Sequence, residues 1–237
     1  MSFGTLYLIP VPLAEQAEYR SYTLFHKELF EHLDEYIVEN EKTARRFLKQ
    51  AGLSKPQNML KMYDYGKHAR DKVDYNRLLE PLTAGRDVGL MSEAGCPGVA
   101  DPGAEVVGHA HRRGIRVVPL VGPSSILLAL MGSGFSGQKF AFHGYLPIDK
   151  GERARKIKEL ESYSIKYGQT QIFIETPFRN QVLFEELLKH CKRTTQMCVA
   201  CNLTADDEII RTRTIADWER IHIDIHKKPT IFLIYGG

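Results

Sequence analysis

Ser92-Glu93-Ala94-Gly95-Cys96-Pro97-Gly98-Val99-Ala100-Asp101-Pro102-Gly103 follows a short apolar run, Asp87-Val88-Gly89-Leu90-Met91, and precedes a helical pattern from Ala104 to Arg113. The order is strand, long loop, helix. A loop leaving the carboxyl end of a strand is where open α/β sheets hold their ligands. Its glycines let backbone approach a ligand closely, and its prolines fix the path between them. Twelve residues is long for a plain connection of this type.

The surrounding pattern repeats the theme. Thr5 to Ile9 is an apolar strand stopped by Pro10-Val11-Pro12, and a helix is predicted over Ala14–Glu31. Tyr36-Ile37-Val38 is a second strand, and Glu41 to Ala51 a helix ending at Gly52, a natural C′ residue. Met59 to Tyr63 reads as a third strand and Arg70 to Leu82 as a helix. The loop-bearing unit comes next, and then the strand Arg116 to Val121. Strands alternating with helices predict a parallel, doubly wound sheet.

Gly122-Pro123-Ser124-Ser125 breaks the chain and opens an apolar helix, Ile126 to Met131, so two α/β domains are expected, 1–121 and 122–237. The second has strands at 140–142, 171–174, 196–200 and 230–235. Helices are expected at 152–162, 179–191 and 215–221, with an added antiparallel strand at 208–212. A mixed sheet fits this half.

Composition narrows the class. The 237 residues are 43% apolar and 26% charged, ordinary for a globular chain with a real core. No run is long and apolar enough to span a membrane, and the N-terminus lacks a basic n-region, so a cytoplasmic protein is expected. Cys198 and Cys201 have C-x-x-C spacing, but residues three apart on a strand point to opposite faces and no second ligand pair accompanies them. With Cys96 and Cys191 they read as packing cysteines, and no metal is expected. Gly132-Ser133-Gly134-Phe135-Ser136-Gly137 matches a dinucleotide fingerprint literally but follows a helix instead of a strand. Neither a P-loop nor a nucleophile elbow is present.

The formal charge of +3 is small, and all of the excess lies in 123–237. Two basic features stand out. Lys42, Arg45, Arg46 and Lys49 form one helical stripe, and Lys150 to Lys158 holds five cations against Glu152. Each is either a solvated face or a phosphate contact.

Taken with the strand ends at Pro10-Val11-Pro12, Glu175-Thr176-Pro177, Asn202-Leu203-Thr204 and Lys228-Pro229-Thr230, the 92–103 loop resembles the tetrapyrrole methylase superfamily of S-adenosylmethionine-dependent methyltransferases. The likeness is greatest to the branch containing ribosomal RNA small-subunit methyltransferase I, which acts on a cytidine ribose 2′-hydroxyl. That branch's Ser-Asp-Ala-Gly-Thr-Pro-Gly-x-x-Asp-Pro-Gly is similar to residues 92–103, and its Pro-Gly-Pro-Ser to Leu120-Val121-Gly122-Pro123-Ser124. Its Gly-Phe-Leu-Pro is similar to Gly144-Tyr145-Leu146-Pro147, and its Tyr-Glu-Ser-Pro-His-Arg to Ile174-Glu175-Thr176-Pro177-Phe178-Arg179.

The resemblance implies two α/β domains with S-adenosylmethionine in the cleft between them, a homodimer, and ribosomal RNA or the small ribosomal subunit as partner. By position, the implied cofactor residues are Ser92, Glu93, Ala94, Gly95 and Val99 in one domain. Ser124, Ser125, Glu175, Thr176, Asn202, Leu203, Pro229 and Thr230 complete the set. No catalytic base is assigned; Glu93 and Asp101 are the nearest carboxylates in sequence. The chain departs from the branch at Leu13-Ala14-Glu15, at Glu39-Asn40-Glu41-Lys42-Thr43, at Glu93 and at Cys201-Asn202-Leu203-Thr204-Ala205. Those departures leave two alternatives open: methylation of a small molecule such as a tetrapyrrole, and a divergent binding module without turnover.

Overall fold

The computed structural model describes residues 2–66 and 73–236. The chain divides into two compact units, Met1–Ser124 and Ser125–Gly237.

In the first unit the strands are β1 (Thr5–Ile9), β2 (Glu35–Val38), β3 (Lys61–Asp64), β4 (Val88–Met91) and β5 (Arg116–Pro119). They pair in the order β3-β2-β4-β1-β5, and every pairing is parallel. The helices are α1 (Glu18–Ser21), α2 (Leu24–His32), α3 (Glu41–Gln50), α4 (Tyr75–Thr83) and α5 (Gly103–Arg112). Both sheet faces are buried, as parallel sheets require. Ile9, Tyr36, Val38 and Met91 pack with Phe30, Phe47 and Leu48 of α2 and α3. The alternate residues Leu6, Ile37, Val88 and Leu90 pack with Leu79, Leu82, Val106 and Ala110 of α4 and α5. This is the doubly wound layering expected from the alternating pattern.

The second unit comprises α6 (Ser125–Ser133), β6 (Phe140–Tyr145), α7 (Lys150–Tyr167), β7 (Thr170–Ile174), α8 (Asn180–His190), β8 (Gln196–Cys201), β9 (Ile209–Thr214), α9 (Ile215–Trp218) and β10 (Thr230–Tyr235). The sheet order is β6-β7-β10-β8-β9. Only β6 and β7 are parallel; β10 runs antiparallel to both β7 and β8, and β9 antiparallel to β8. Phe173, Val199, Cys201, Phe232 and Ile234 pack against α7, α8 and Trp218. The opposite face meets α6. Cys201 belongs to the first of these clusters and Cys198 does not, as their spacing on a strand demands.

Several expectations need correction. The helix predicted over Ala14–Glu31 is two helices, because Thr23 is extended (φ −90°, ψ 169°) and its N–H turns to His26 Nδ1 at 3.2 Å. Met59 belongs to a 3-10 turn, Gln57–Met59, and the strand begins at Lys61. The helix expected from Arg70 starts at Tyr75, where Asp74 caps it through Asn76 and Arg77 N–H; Arg70 itself lies outside the described residues. The helix of the second basic run extends to Tyr167, where Gly168 terminates it in the left-handed region. Among the described residues no helix is long and apolar enough to cross a membrane.

At the amino end of the first sheet, Glu35 is buried and accepts from Tyr63 Oη and Arg86 Nε, each at 2.6 Å. Burial opposes its charge, yet these hydrogen bonds and the nearby Arg86 and Lys61 hold its carboxyl below the usual range. A depressed carboxylate contributes stability above its unfolded pKa and loses it as pH falls through the folded one. Glu35→Gln should therefore cost about 1–2 kcal/mol at pH 7, with Arg86 half-exposed and partly screened. In urea melts the gap to wild type should close as the pH drops below about 4.

Candidate functional site

The strand order places the exits of β4 and β1 side by side, with their following connections leaving in opposite directions, to β5 and to β2. That is the position at which open α/β sheets form a crevice. Here the two exits are tied by a reciprocal backbone pair. Val11 N–H donates to Gly95 O at 2.9 Å, and Gly95 N–H donates to Val11 O at 2.8 Å. Gly95 sits at φ +75°, a conformation that costs an L side chain strain. Both of its backbone groups are consumed by Val11, so what it offers a ligand is the space where a side chain would be.

Asp101 holds the second half of the loop. Its Oδ1 accepts from the N–H groups of Gly98 and Gly103, both at 2.7 Å. A Cβ on Gly103 would lie 2.9 Å from that same oxygen and 3.1 Å from Gly98 N, so the turn closes only over glycine. Burial pushes the Asp101 carboxyl above its ordinary value, against the opposing pull of those amides and Ser92. This carboxylate shapes the loop. Burial also raises the Cys96 thiol, with the Asp101 charge adding to it, and its sulfur reaches Pro123 O at 3.3 Å.

Of the loop residues singled out in sequence, Ser92 and Gly95 are buried, while Glu93, Ala94 and Val99 face solvent. Ser92 Oγ lies 3.3 Å from Ala94 O and 3.4 Å from Gly95 O. Glu93 lines a small recess at the ends of β1, β2 and β4. Val11, Val38, Ala44, Phe47 and Met91 give it apolar walls, and Glu39, Asn40, Thr43, Ser92 and Glu93 give it polar groups. Glu93 N–H donates to Glu39 Oε1 at 3.3 Å, and Thr43 Oγ1 lies 3.3 Å from Glu93 Oε1. Sequence reasoning noticed 39–43 only as a departure from a pattern. The missed signal was position: Glu39 follows β2 directly, at the same sheet end as the loops already chosen.

In the second unit, the strand pairing brings Glu175-Thr176, Asn202-Leu203 and Pro229-Thr230 to one end of the sheet, on the neighbours β7, β8 and β10. Asn202 N–H donates to Pro229 O at 2.9 Å, and its side chain to Asp207 Oδ2 at 2.8 Å. Glu175 is buried; its Oε1 accepts from Thr176 N–H at 2.6 Å and from Arg179 at 2.7 and 3.0 Å. Asn180 Nδ2 anchors Lys228 O at 2.6 Å, and Lys227 N–H reaches Pro177 O at 2.9 Å. Leu203 is buried, which leaves backbone as its means of contact. Asn202 (φ +50°), Thr204 (+72°) and Lys227 (+59°) all hold left-handed backbone here. Such conformations persist where surrounding structure over-determines them, and they concentrate at ligand sites. Ser124 ends the first unit, and Ser125 is the first residue of α6.

The remaining sequence candidates separate. In the α3 stripe, Arg45 is half-buried and bound to Glu41, Gln57 O and Leu60 O, whereas Lys42, Arg46 and Lys49 are exposed. In the second run, Arg153 is buried and its Nη1 donates to Pro147 O and Ile148 O. Cys198 and Cys201 are buried with thiols pushed up by burial. Among the described residues no three His, Cys, Asp or Glu side chains converge to hold a metal.

Comparison with known proteins adds a second line. Residues 24–219 match the model of the tetrapyrrole (corrin/porphyrin) methylases. A protein of Vibrio cholerae named ribosomal RNA small subunit methyltransferase I is 26% identical over 234 residues, 98% of this chain and 77% of that one. One of the same name from Mesorhizobium japonicum is 30% identical over 210 residues, 89% of this chain and 67% of that one. Among solved structures, the methyltransferase CobJ superposes with a TM-score of 0.62 at 15% identity, over 99% of this chain and 94% of that one, a likeness of fold.

Asp101→Ala should leave the Gly98 and Gly103 amides unpaired and cost about 1–3 kcal/mol. Hydrogen exchange measured residue by residue should show these two amides losing protection while the β1 and β4 amides keep theirs.

Proposed function

Because the chain belongs to the tetrapyrrole methylase family, and is thereby an S-adenosylmethionine-dependent methyltransferase, we propose that it methylates RNA of the small ribosomal subunit, at a ribose 2′-hydroxyl. The relatives named for this RNA support the substrate class. The observation that carries the reading is the 92–103 loop, clamped to β1 at the switch between β4 and β1.

The residues present suit S-adenosylmethionine. Exposed Glu93 offers a carboxylate to ribose hydroxyls, exposed Val99 offers an apolar surface to adenine, and Gly95 leaves room beside them. We assign donor binding to Ser92, Glu93, Ala94, Gly95 and Val99, with Ser124, Ser125, Glu175, Thr176, Asn202, Leu203, Pro229 and Thr230 from the remainder of the chain. When bound, S-adenosylmethionine supplies an electrophilic methyl group on a sulfonium. The task of the protein is alignment: an acceptor oxygen must lie in line with the S–CH3 bond at near-attack distance. A hydroxyl acceptor also gives up its proton as it attacks, so a carboxylate near that oxygen assists. Homodimerisation, as the resemblance implies, is part of the same proposal.

Labelled S-adenosylmethionine incubated with the protein and small ribosomal subunits from cells lacking it should label the RNA. Subunit binding should weaken steeply between 50 and 200 mM salt, as counterion release requires. Absence of donor binding by calorimetry would overturn the reading, and donor binding with label on a small tetrapyrrole alone would redirect it. Gly95→Val should retain the fold, since the added Cβ meets only Leu13 Cδ2 at 3.4 Å and Pro123 O at 3.7 Å. The strain at positive φ costs about 1–2 kcal/mol. Donor affinity should nevertheless fall below detection, and an affinity within a few-fold of wild type would misplace the donor.

A further inference from the structure

The two sheets end in four edge strands, and three of them are blunted. β3 carries exposed Lys61 and Asp64, β5 exposed Arg116 and Pro119, and β9 exposed Arg211 and Arg213. Charges and proline on an edge strand keep it from pairing with another chain. β6, Phe140-Ala141-Phe142-His143-Gly144-Tyr145, has neither. Among the described residues its backbone pairs with β7 alone, so the hydrogen-bonding groups on its outer side have no protein partner. We propose that β6 is a dimer interface, pairing antiparallel with β6 of a second copy across a two-fold axis. The pairing joins two five-stranded sheets into one. The inference rests on the dimer reading above and names its surface.

Three observations fit a second copy as the occupant. First, the side chains around the edge are apolar. Phe140 and Tyr145 on the strand, Ile148 just past it, and Tyr163 and Tyr167 on α7 are 40 to 74% exposed. The rings of Tyr163 and Tyr167 lie 6.1 Å apart, and Tyr163 and His143 of β6 both act on Glu159. With about half of each side chain outward, the five present on the order of 500 Å², as much as the largest apolar patch of an ordinary monomer. The strand edge adds to this, approaching the roughly 800 Å² that each partner of a stable dimer buries.

Second, the edge is neutral. A two-fold axis sets a surface against itself, so any charge on it would meet its own copy. β6 has no Asp, Glu, Lys or Arg, and Glu159 beside it is matched by Lys156 at 3.0 Å. Third, the strand contains a stretch that matches itself. Its ladder is regular over Phe140–Phe142 and shifts register between Phe142 and Tyr145, where Gly144 sits at φ +63°. An axis through the small Ala141 sets Phe140 of each copy opposite Phe142 of the other. That gives an aromatic cross-strand pair on either side of the axis.

Sedimentation velocity on the full chain at micromolar concentration should show a dimer. Phe140→Lys removes two rings from the interface and places two cations near the axis. It should weaken the dimer at least about a hundredfold while keeping the wild-type circular dichroism. Tyr163→Lys, on the helix, should weaken it about tenfold and serves if the strand variant misfolds. Met131→Lys, at an exposed apolar residue of α6, should leave the dimer intact. A cysteine introduced as Ala141→Cys should crosslink to its own copy with a short bismaleimide, above the background that Cys96 gives in wild type. Arg211→Cys, on the opposite edge, should not. A monomeric wild type overturns both the dimer reading and this surface. A dimer that survives both lysine variants at the edge, or that is lost with Met131→Lys instead, overturns the surface and leaves the dimer reading standing. Equal crosslinking from the two edges overturns the β6 pairing.

Discussion

Two hydrogen bonds between Val11 and Gly95 fix the functional end of the first unit. Short loops at strand ends are free to splay unless something consumes their backbone groups, and buried amides left unpaired are costly. The reciprocal pair satisfies both residues at once and turns two separate loops into one wall. Asp101 does the same for the distal half of the loop, replacing with one carboxylate oxygen the two backbone acceptors that Gly98 and Gly103 lack. Above them Glu93, Ala94 and Val99 face solvent, which is the part a ligand can reach. Rigidity beneath and exposure above is the arrangement that places a reacting group within the narrow tolerance of an in-line displacement.

The second unit reaches a comparable result by a different route. Its loops are cross-tied, Asn202 to Pro229, Asn180 to Lys228 and Pro177 to Lys227. Left-handed backbone at a β-branched residue such as Thr204 costs free energy that these ties must offset. Arg179 and Thr176 both close on one oxygen of Glu175, so this acidic residue acts on its neighbours before it acts on any ligand.

The parallel and mixed character of the two sheets and most strand positions were legible in the sequence because apolar runs bounded by proline and glycine have few other readings. The strand at 230–235 was read to the residue. The break at Thr23 was not legible, since a helical apolar pattern continues across it and the interruption depends on a side chain three residues later. Charge patterns were read only in part. Arg45 and Arg153 look like members of basic stripes, but each donates to carbonyls that only the folded chain brings near. For the candidate site, glycine and proline advertised the 92–103 loop, whereas Glu39 had no such punctuation. Its role emerges from β2 lying beside β4, a neighbour relation across the sheet that a linear pattern does not contain.

The strand order also has a consequence for biosynthesis. β1 is translated before either of its sheet partners and ends between them: Leu6 pairs with Val88 on one side and Val117 on the other. Until β5 has been translated, β1 lacks one of its two neighbours, and Leu6 and Ile9, fully buried in the finished protein, have no completed core to enter. Closure of such non-local pairs must overcome loop entropy before any contact rewards it. The nascent chain therefore holds an unpaired apolar strand until β4 has emerged, and the first unit's sheet is complete only once β5 has followed. The clamp between Val11 and Gly95, formed across the same separation, comes into being with that closure.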